Sequence, residues 1–158
     1  ARAGASAARF ASQVSQPRIS HQFIAEELAE IKKFNGRLQP EAVIQEVREL
    51  MWEKVGVVRE EAALKEALAQ IQTIRAEKIQ RMSGEDLFAR LEAANLALTG
   101  EMVVRAALMR EESRGSHIRK DFPQRKDELW KKHIAITNQN GKIVLESLPV
   151  ITLSRPKR

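Results

Sequence analysis

Cysteine is absent from the 158 residues, which excludes disulfides, thiolate metal sites and a cysteine nucleophile within the chain. Tyrosine is absent too, and Phe and Trp together make up only 4%. The core must therefore be built from Leu, Ile, Val, Ala and Met. No apolar run approaches the roughly 20 residues that a membrane-spanning helix needs. The alanine-rich start carries Arg2 and Arg9 and lacks the sustained apolar centre of a signal peptide. No G-x-G-x-x-G turn follows a strand pattern, and no serine stands in a nucleophile elbow. His21, His117 and His133 do not share the spacing of metal ligands on one helix. These absences leave no catalytic, cofactor-binding or metal residue to name.

What is present suits one globular domain with its own core: 43% hydrophobic and 30% charged residues. The net charge of +6 is unevenly placed. Residues 1–112 carry 16 basic and 17 acidic side chains, whereas residues 113–132 carry seven and three. Arg155, Lys157 and Arg158 make the tail basic. A nucleic-acid surface would want interleaved aromatics for stacking, and only Phe122 and Trp130 are at hand. The basic tract reads instead as a solvated face, with no nucleic acid as partner.

Hydrophobic spacing predicts a mainly α fold. Residues 1–15 read as a helix of small side chains, and Ser20 as the cap of a second helix with Ile24, Leu28 and Ile31 on one side, ending at Asn35-Gly36. A third helix is predicted over 40–54, with Pro40 in its first turn and Val43, Val47, Leu50 and Met51 inward, Trp52 packing at the edge. A fourth runs over 60–82 with Leu64, Leu68, Ile71 and Ile74 inward. Ser83 then opens an approximate capping box closed by Asp86, with Met82 and Leu87 as a hydrophobic staple. The fifth helix, 84–114, is expected to bury Leu87, Leu91, Ala94, Leu98, Met102, Ala106 and Met109 and to stop at Gly115. Thr99-Gly100 is a weak point in that helix, or a place where another helix crosses closely. A helical turn near 126–131 and a hairpin with its turn at Asn140-Gly141 complete the pattern. Together this is an antiparallel three-helix bundle, spectrin-repeat-like, with a short C-terminal β-hairpin.

The join between the fifth helix and the basic tract reads E-S-R-G-S-H-I-R-K-D-F-P over residues 112–123. It resembles the E-S-R-G-A-H-x-R-x-D-[FY]-P signature of the succinate dehydrogenase and fumarate reductase flavoproteins and L-aspartate oxidase. Ser116 stands where Ala is more usual. Met-Trp-Glu-Lys-Val-Gly-Val-Val-Arg at 51–59 is similar to the M-W-[ED]-x-V-G-[VI]-[VI]-R segment of the same family. Arg2-x-Gly4 followed by Ala7-Ala8 resembles the helix that closes the family's flavin domain, and Trp130-x-x-His133 with the following hairpin resembles the end of succinate dehydrogenase flavoproteins.

The resemblance implies the C-terminal helical domain of an FAD-dependent dicarboxylate oxidoreductase. Residues 1–15 would end a preceding flavin domain, 18–36 connect, 40–132 form the bundle, and 133–158 the hairpin and a basic extended tail. FAD would belong to the whole protein and not to this chain, which alone should be inactive. The implied partners are the flavin and capping domains and an iron–sulfur subunit, in the cytoplasm at the inner face of the membrane, without direct membrane insertion. The candidate interface residues are Glu111, Ser113, Arg114, Gly115, His117 and Arg119. If they serve a domain contact, Arg114 and His117 should lack part of their pairing here, and replacing Arg114 should disturb the chain little. The competing readings are a free-standing helical interaction module and the corresponding domain of an L-aspartate oxidase.

Overall fold

A computed structural model describes residues 2–15, 20–32, 36–83 and 86–150. It is mainly helical with one small antiparallel hairpin. Two compact units are present, residues 1–33 and 34–158. The first holds α1 (Arg2–Gln13) and α2 (His21–Lys32). Ser20 caps α2 as expected, its hydroxyl accepting from the Phe23 amide at 3.4 Å. Phe10, Val14, Phe23, Ile24 and Leu28 are all exposed. Phe23, Ile24 and Leu28 of α2 thus have no cover within this unit. Its predicted stop at Asn35 lies outside the described residues, as does the basic tail.

In the second unit α3 (Pro40–Val55), α4 (Glu61–Thr73) and α5 (Leu87–Met109) each pack on the other two. Pro40 begins α3 as its sequence predicts, where a missing N–H costs nothing. Val43, Val47, Leu64, Ile71 and Ile74 are sealed from water at the centre. Burying each such side chain is worth about 1.5–3 kcal/mol. Beyond Thr73 the chain widens into a π turn, Ile74–Lys78, and tightens into a 3₁₀ turn, Ile79–Arg81. Met82 then lies in a parallel bridge with Leu38, tying the segment after α4 to the residues before α3.

The fifth helix departs from its predicted face. Its buried residues are Arg90, Ala93, Ala97, Gly100, Glu101, Val104 and Ala107, while Leu91 is 39% exposed. The helix turns its small residues inward because two neighbours approach closely there. A Cβ built on Gly100 would lie 3.1 Å from Ile71 Cδ1 and 3.3 Å from Met51 Sδ. The larger Leu and Met residues flank that contact. Two end signals also move. Asp86, and not Ser83, is the N-cap, its carboxylate accepting the Ala89 amide at 2.9 Å. The helix stops at Met109, five residues before the expected end. Trp52, expected at a packed edge, is 85% exposed.

β1 (Val58–Arg59) and β2 (Ile118–Arg119) form a two-residue parallel pair, Val58 opposite Ile118 and Arg59 opposite Arg119. A short helix, α6 (Asp127–Trp130), follows near its predicted place. β3 (Lys132–Gln139) and β4 (Lys142–Pro149) make the hairpin. Its turn takes Asn140 to φ 52° and Gly141 to φ 80°, the left-handed geometry that Asn-Gly accepts readily. A lone ribbon is marginal in water. This one is pinned at its start, where Arg110 donates to the carbonyls of Trp130 at 3.0 Å and Lys132 at 2.8 Å.

Candidate functional site

The two sequence motifs meet. Residues 57–59 and 118–120 are joined by hydrogen bonds from the Ile118 amide to Val57 at 3.1 Å and from the Lys120 amide to Arg59 at 2.8 Å. Around this seam two buried charges organise everything else.

Arg119 is 1% exposed. Its Nη1 donates to the carbonyls of Ala107, Leu108 and Arg110 at 2.8, 3.3 and 3.3 Å. These are carbonyls at the end of α5 that no helical turn can satisfy, and a cation suits that end of the helix dipole. Its Nε and Nη2 grip Asp121 at 2.7 and 2.6 Å, a bidentate pair. Asp121 also accepts the Glu61 amide at 3.1 Å, in the first turn of α4. One ion pair thus links the end of α5 to the start of α4. The Phe122 ring covers the guanidinium at 4.8 Å.

Glu112 has no accessible surface. It accepts from Arg110 Nη1 at 2.7 Å, from Arg114 Nε at 2.7 Å and Nη2 at 3.1 Å, and from the Lys126 amide at 2.8 Å. Burial alone would raise its pKa; Arg114, the Lys126 amide and Arg110 override that and hold it at about 2. Arg114 reaches on to Asp127 at 2.5 Å. Ser113 closes the loop from inside, its hydroxyl accepting the Arg119 amide at 2.9 Å and donating to the Phe122 carbonyl at 2.9 Å.

Gly115 does not end a helix. It sits at φ +57° in a turn whose two sides exchange hydrogen bonds, Arg114 to His117 at 2.8 Å and the reverse at 3.0 Å. That turn sets the His117 ring between two partners. Nε2 lies 3.2 Å from the Arg110 carbonyl, and Nδ1 lies 2.8 Å from Arg59 Nη1. A carbonyl only accepts and a guanidinium only donates, so the ring is neutral with its proton on Nε2. Burial, and then the nearby Arg59, Arg119 and Arg110, push its pKa below the usual range.

The structure gathers Ser113, Arg114, His117 and Arg119 into one cluster and leaves Glu111 and Gly115 exposed. Arg114 and His117, expected to lack part of their pairing here, have partners inside the chain: Arg114 holds Glu112 and Asp127, and both ring nitrogens of His117 face a partner. Residues that carry the cluster but escaped the candidate set are Glu112, Asp121, Asp127, Arg110 and Arg59. The alternation of sign in E-E-S-R and R-K-D was the available signal. Chemically the cluster suits holding and not proton transfer. Asp121 is held at about 2 by Arg119, well away from the pKa that a general acid or base needs. The described residues offer no glycine-rich turn between a strand and a helix.

Residues 44–157 match the family model described as fumarate reductase flavoprotein C-term. A fumarate reductase (CoM/CoB) subunit of Methanothermobacter marburgensis is 36% identical over 146 residues, covering 87% of this chain and 26% of that protein. The succinate dehydrogenase flavoprotein subunit of Rickettsia conorii is 32% identical, covering 93% of this chain and 27% of that one. Among solved structures, Mycobacterium smegmatis Sdh1 in complex with UQ1 superposes with a TM-score of 0.76 at 22% identity, over 90% of this chain and 26% of that chain, and shows a shared fold. The chain therefore spans about a quarter of the length of these relatives. It belongs to the family of C-terminal domains of the fumarate reductase and succinate dehydrogenase flavoproteins.

Proposed function

We propose that the chain is the C-terminal helical domain of an FAD-dependent succinate dehydrogenase or fumarate reductase, serving support and subunit contact and not catalysis. The observation that carries this reading is the state of the signature: its carboxylates are bound to arginines, and its histidine is neutral with both ring nitrogens engaged. FAD and the dicarboxylate lie elsewhere in the whole protein. On this reading α1, with Arg2, Gly4, Ala7 and Ala8, closes the flavin domain, and α2 connects to a spectrin-repeat-like antiparallel bundle. Exposed Glu111, Gly115 and Ile118 on the signature, with Trp52, Val57 and Val58 beside the seam, face the flavin and capping domains. An iron–sulfur subunit is the further partner, placing the assembly in the cytoplasm at the inner face of the membrane.

A second reading keeps the domain and changes the enzyme. L-aspartate oxidase of Acinetobacter baylyi is 36% identical over 109 residues, covering 68% of this chain. The test starts with the purified chain, which should show no flavin absorption and should not reduce fumarate with a reduced dye. The flavoprotein that contains it should do both, and should lose flavin when Trp52 and Ile118 are replaced by Glu. Oxidation of L-aspartate without succinate turnover would select the second reading. A flavin band in the isolated chain would overturn both.

A further inference from the structure

Two adjoining hollows, of about 390 and 360 Å³, open where α5 meets the turn at 114–117 and the start of β3. Arg110, His117, Lys132 and His133 line both. Arg59 adds to the first, and Arg114 and Lys131 to the second. Among the described residues, no Asp or Glu lines either one.

Two of these cations already have carboxylate partners, because Glu112 holds Arg110 and Arg114, and Arg114 also reaches Asp127. Arg59, Lys131 and Lys132 form no ion pair among the described residues. Arg59 is the telling one. It is partly buried, its Nε donates to the Gly56 carbonyl at 2.7 Å, and Nη1 faces the neutral ring of His117. Its burial is met by no carboxylate, and that desolvation depresses its pKa. A guanidinium in this state gains from an anion supplied from outside. The walls beside it are Val103, Ala106, Ala107 and Ile134, which suit aliphatic carbons. Because the hollows share four residues, a ligand several residues long can span them.

We propose that the twin hollows bind an acidic segment of another polypeptide, one carboxylate seated on Arg59 and Lys132 and its aliphatic carbons on the α5 wall. A nucleic acid fits less well, since Trp130 is the one Phe, Tyr or Trp among the described lining residues. The inference does not depend on which oxidoreductase the chain serves.

The test is fluorescence anisotropy on the 158-residue chain with a labelled short peptide of alternating Glu and Val, at low and moderate salt. Binding is expected, weakening as salt rises and vanishing when every Glu is replaced by Gln. Lys132→Glu should weaken it about tenfold or more. Lys142→Glu reverses the same charge at the far end of the hairpin and should change it less than about twofold. Arg59→Gln should weaken binding as well, with circular dichroism checking that it still folds. Equal losses at Lys132 and Lys142 would show diffuse attraction and overturn the proposal. So would a Gln peptide that binds as well, or no binding at low salt. Citrate, phosphate or a single-stranded oligonucleotide binding where the acidic peptide does not would overturn it too.

Discussion

Replacing Glu112 with Ala should loosen the charged cluster from its centre. The carboxylate accepts four hydrogen bonds, three of them from arginines. Hydrogen bonds to charged groups are worth about 1.5–3 kcal/mol each, so the gross interaction is roughly 6–12 kcal/mol. Most of that is not lost. The side chains of Arg110 and Arg114 are 15% and 29% exposed and regain water. Arg114 keeps Asp127, and Arg110 keeps the Trp130 and Lys132 carbonyls. Breaking a buried pair costs about 3–5 kcal/mol, and partial screening by the exposed arginines brings this to about 2–4 kcal/mol. At about 4 °C per kcal/mol for a unit of this size, the midpoint falls by about 8–16 °C. Glu112→Gln keeps the shape and one carbonyl but not the charge, and should lose most of the same. Urea unfolding followed by far-UV circular dichroism measures both. A loss under about 1 kcal/mol for Glu112→Ala, the range of an exposed pair, would refute the reasoning.

Core truncation should follow which side chains the structure buries. Ile71→Ala should cost about 2–5 kcal/mol, whereas Leu91→Ala, at a 39% exposed position, should cost under about 1 kcal/mol by the same urea titration. Acid should weaken the chain in two stages. His117 is neutral with a folded pKa below its ordinary 6.5, so the unfolded chain binds the proton more readily and stability declines as pH falls below about that value. Glu112 and Asp121, held at about 2 against ordinary values of 4.5 and 3.8, add stability that is complete above about pH 5 and lost toward pH 2. Midpoints measured from pH 7 to pH 2 should fall throughout, with a shallower acid limb in Glu112→Gln; an identical limb would contradict the assignment.

Helix existence was legible in the chain because the 3.6-residue apolar period is written plainly in α3 and α4. The hairpin was legible because Asn-Gly has few other uses between β-branched runs. The face of α5 was not. That helix is apolar nearly all round, and a close crossing selects its small residues, which depends on where Met51 and Ile71 arrive. The end of α5 was hidden for a similar reason. Gly115 looks like a C-cap, but Arg119, ten residues after Met109, satisfies the last carbonyls instead. The link at residues 55–59 gave no local sign of pairing with residues 118–120, since a two-residue parallel bridge leaves no periodicity. The buried Glu112 and Arg119 were present as letters. Only the fold shows that they face inward and that Glu111 does not.

The central claim is that the signature holds this domain together and takes no part in the redox chemistry. Arg119→Lys tests it most directly, made both in the isolated chain and in the whole flavoprotein. Lysine keeps the charge but cannot grip Asp121 and the α5 carbonyls together. The account predicts that the unfolding midpoint of the isolated chain drops by more than about 5 °C, while turnover per bound flavin in the flavoprotein at low temperature is unchanged. An isolated chain as stable as the wild type, with a flavoprotein that keeps its flavin but loses turnover, would contradict it.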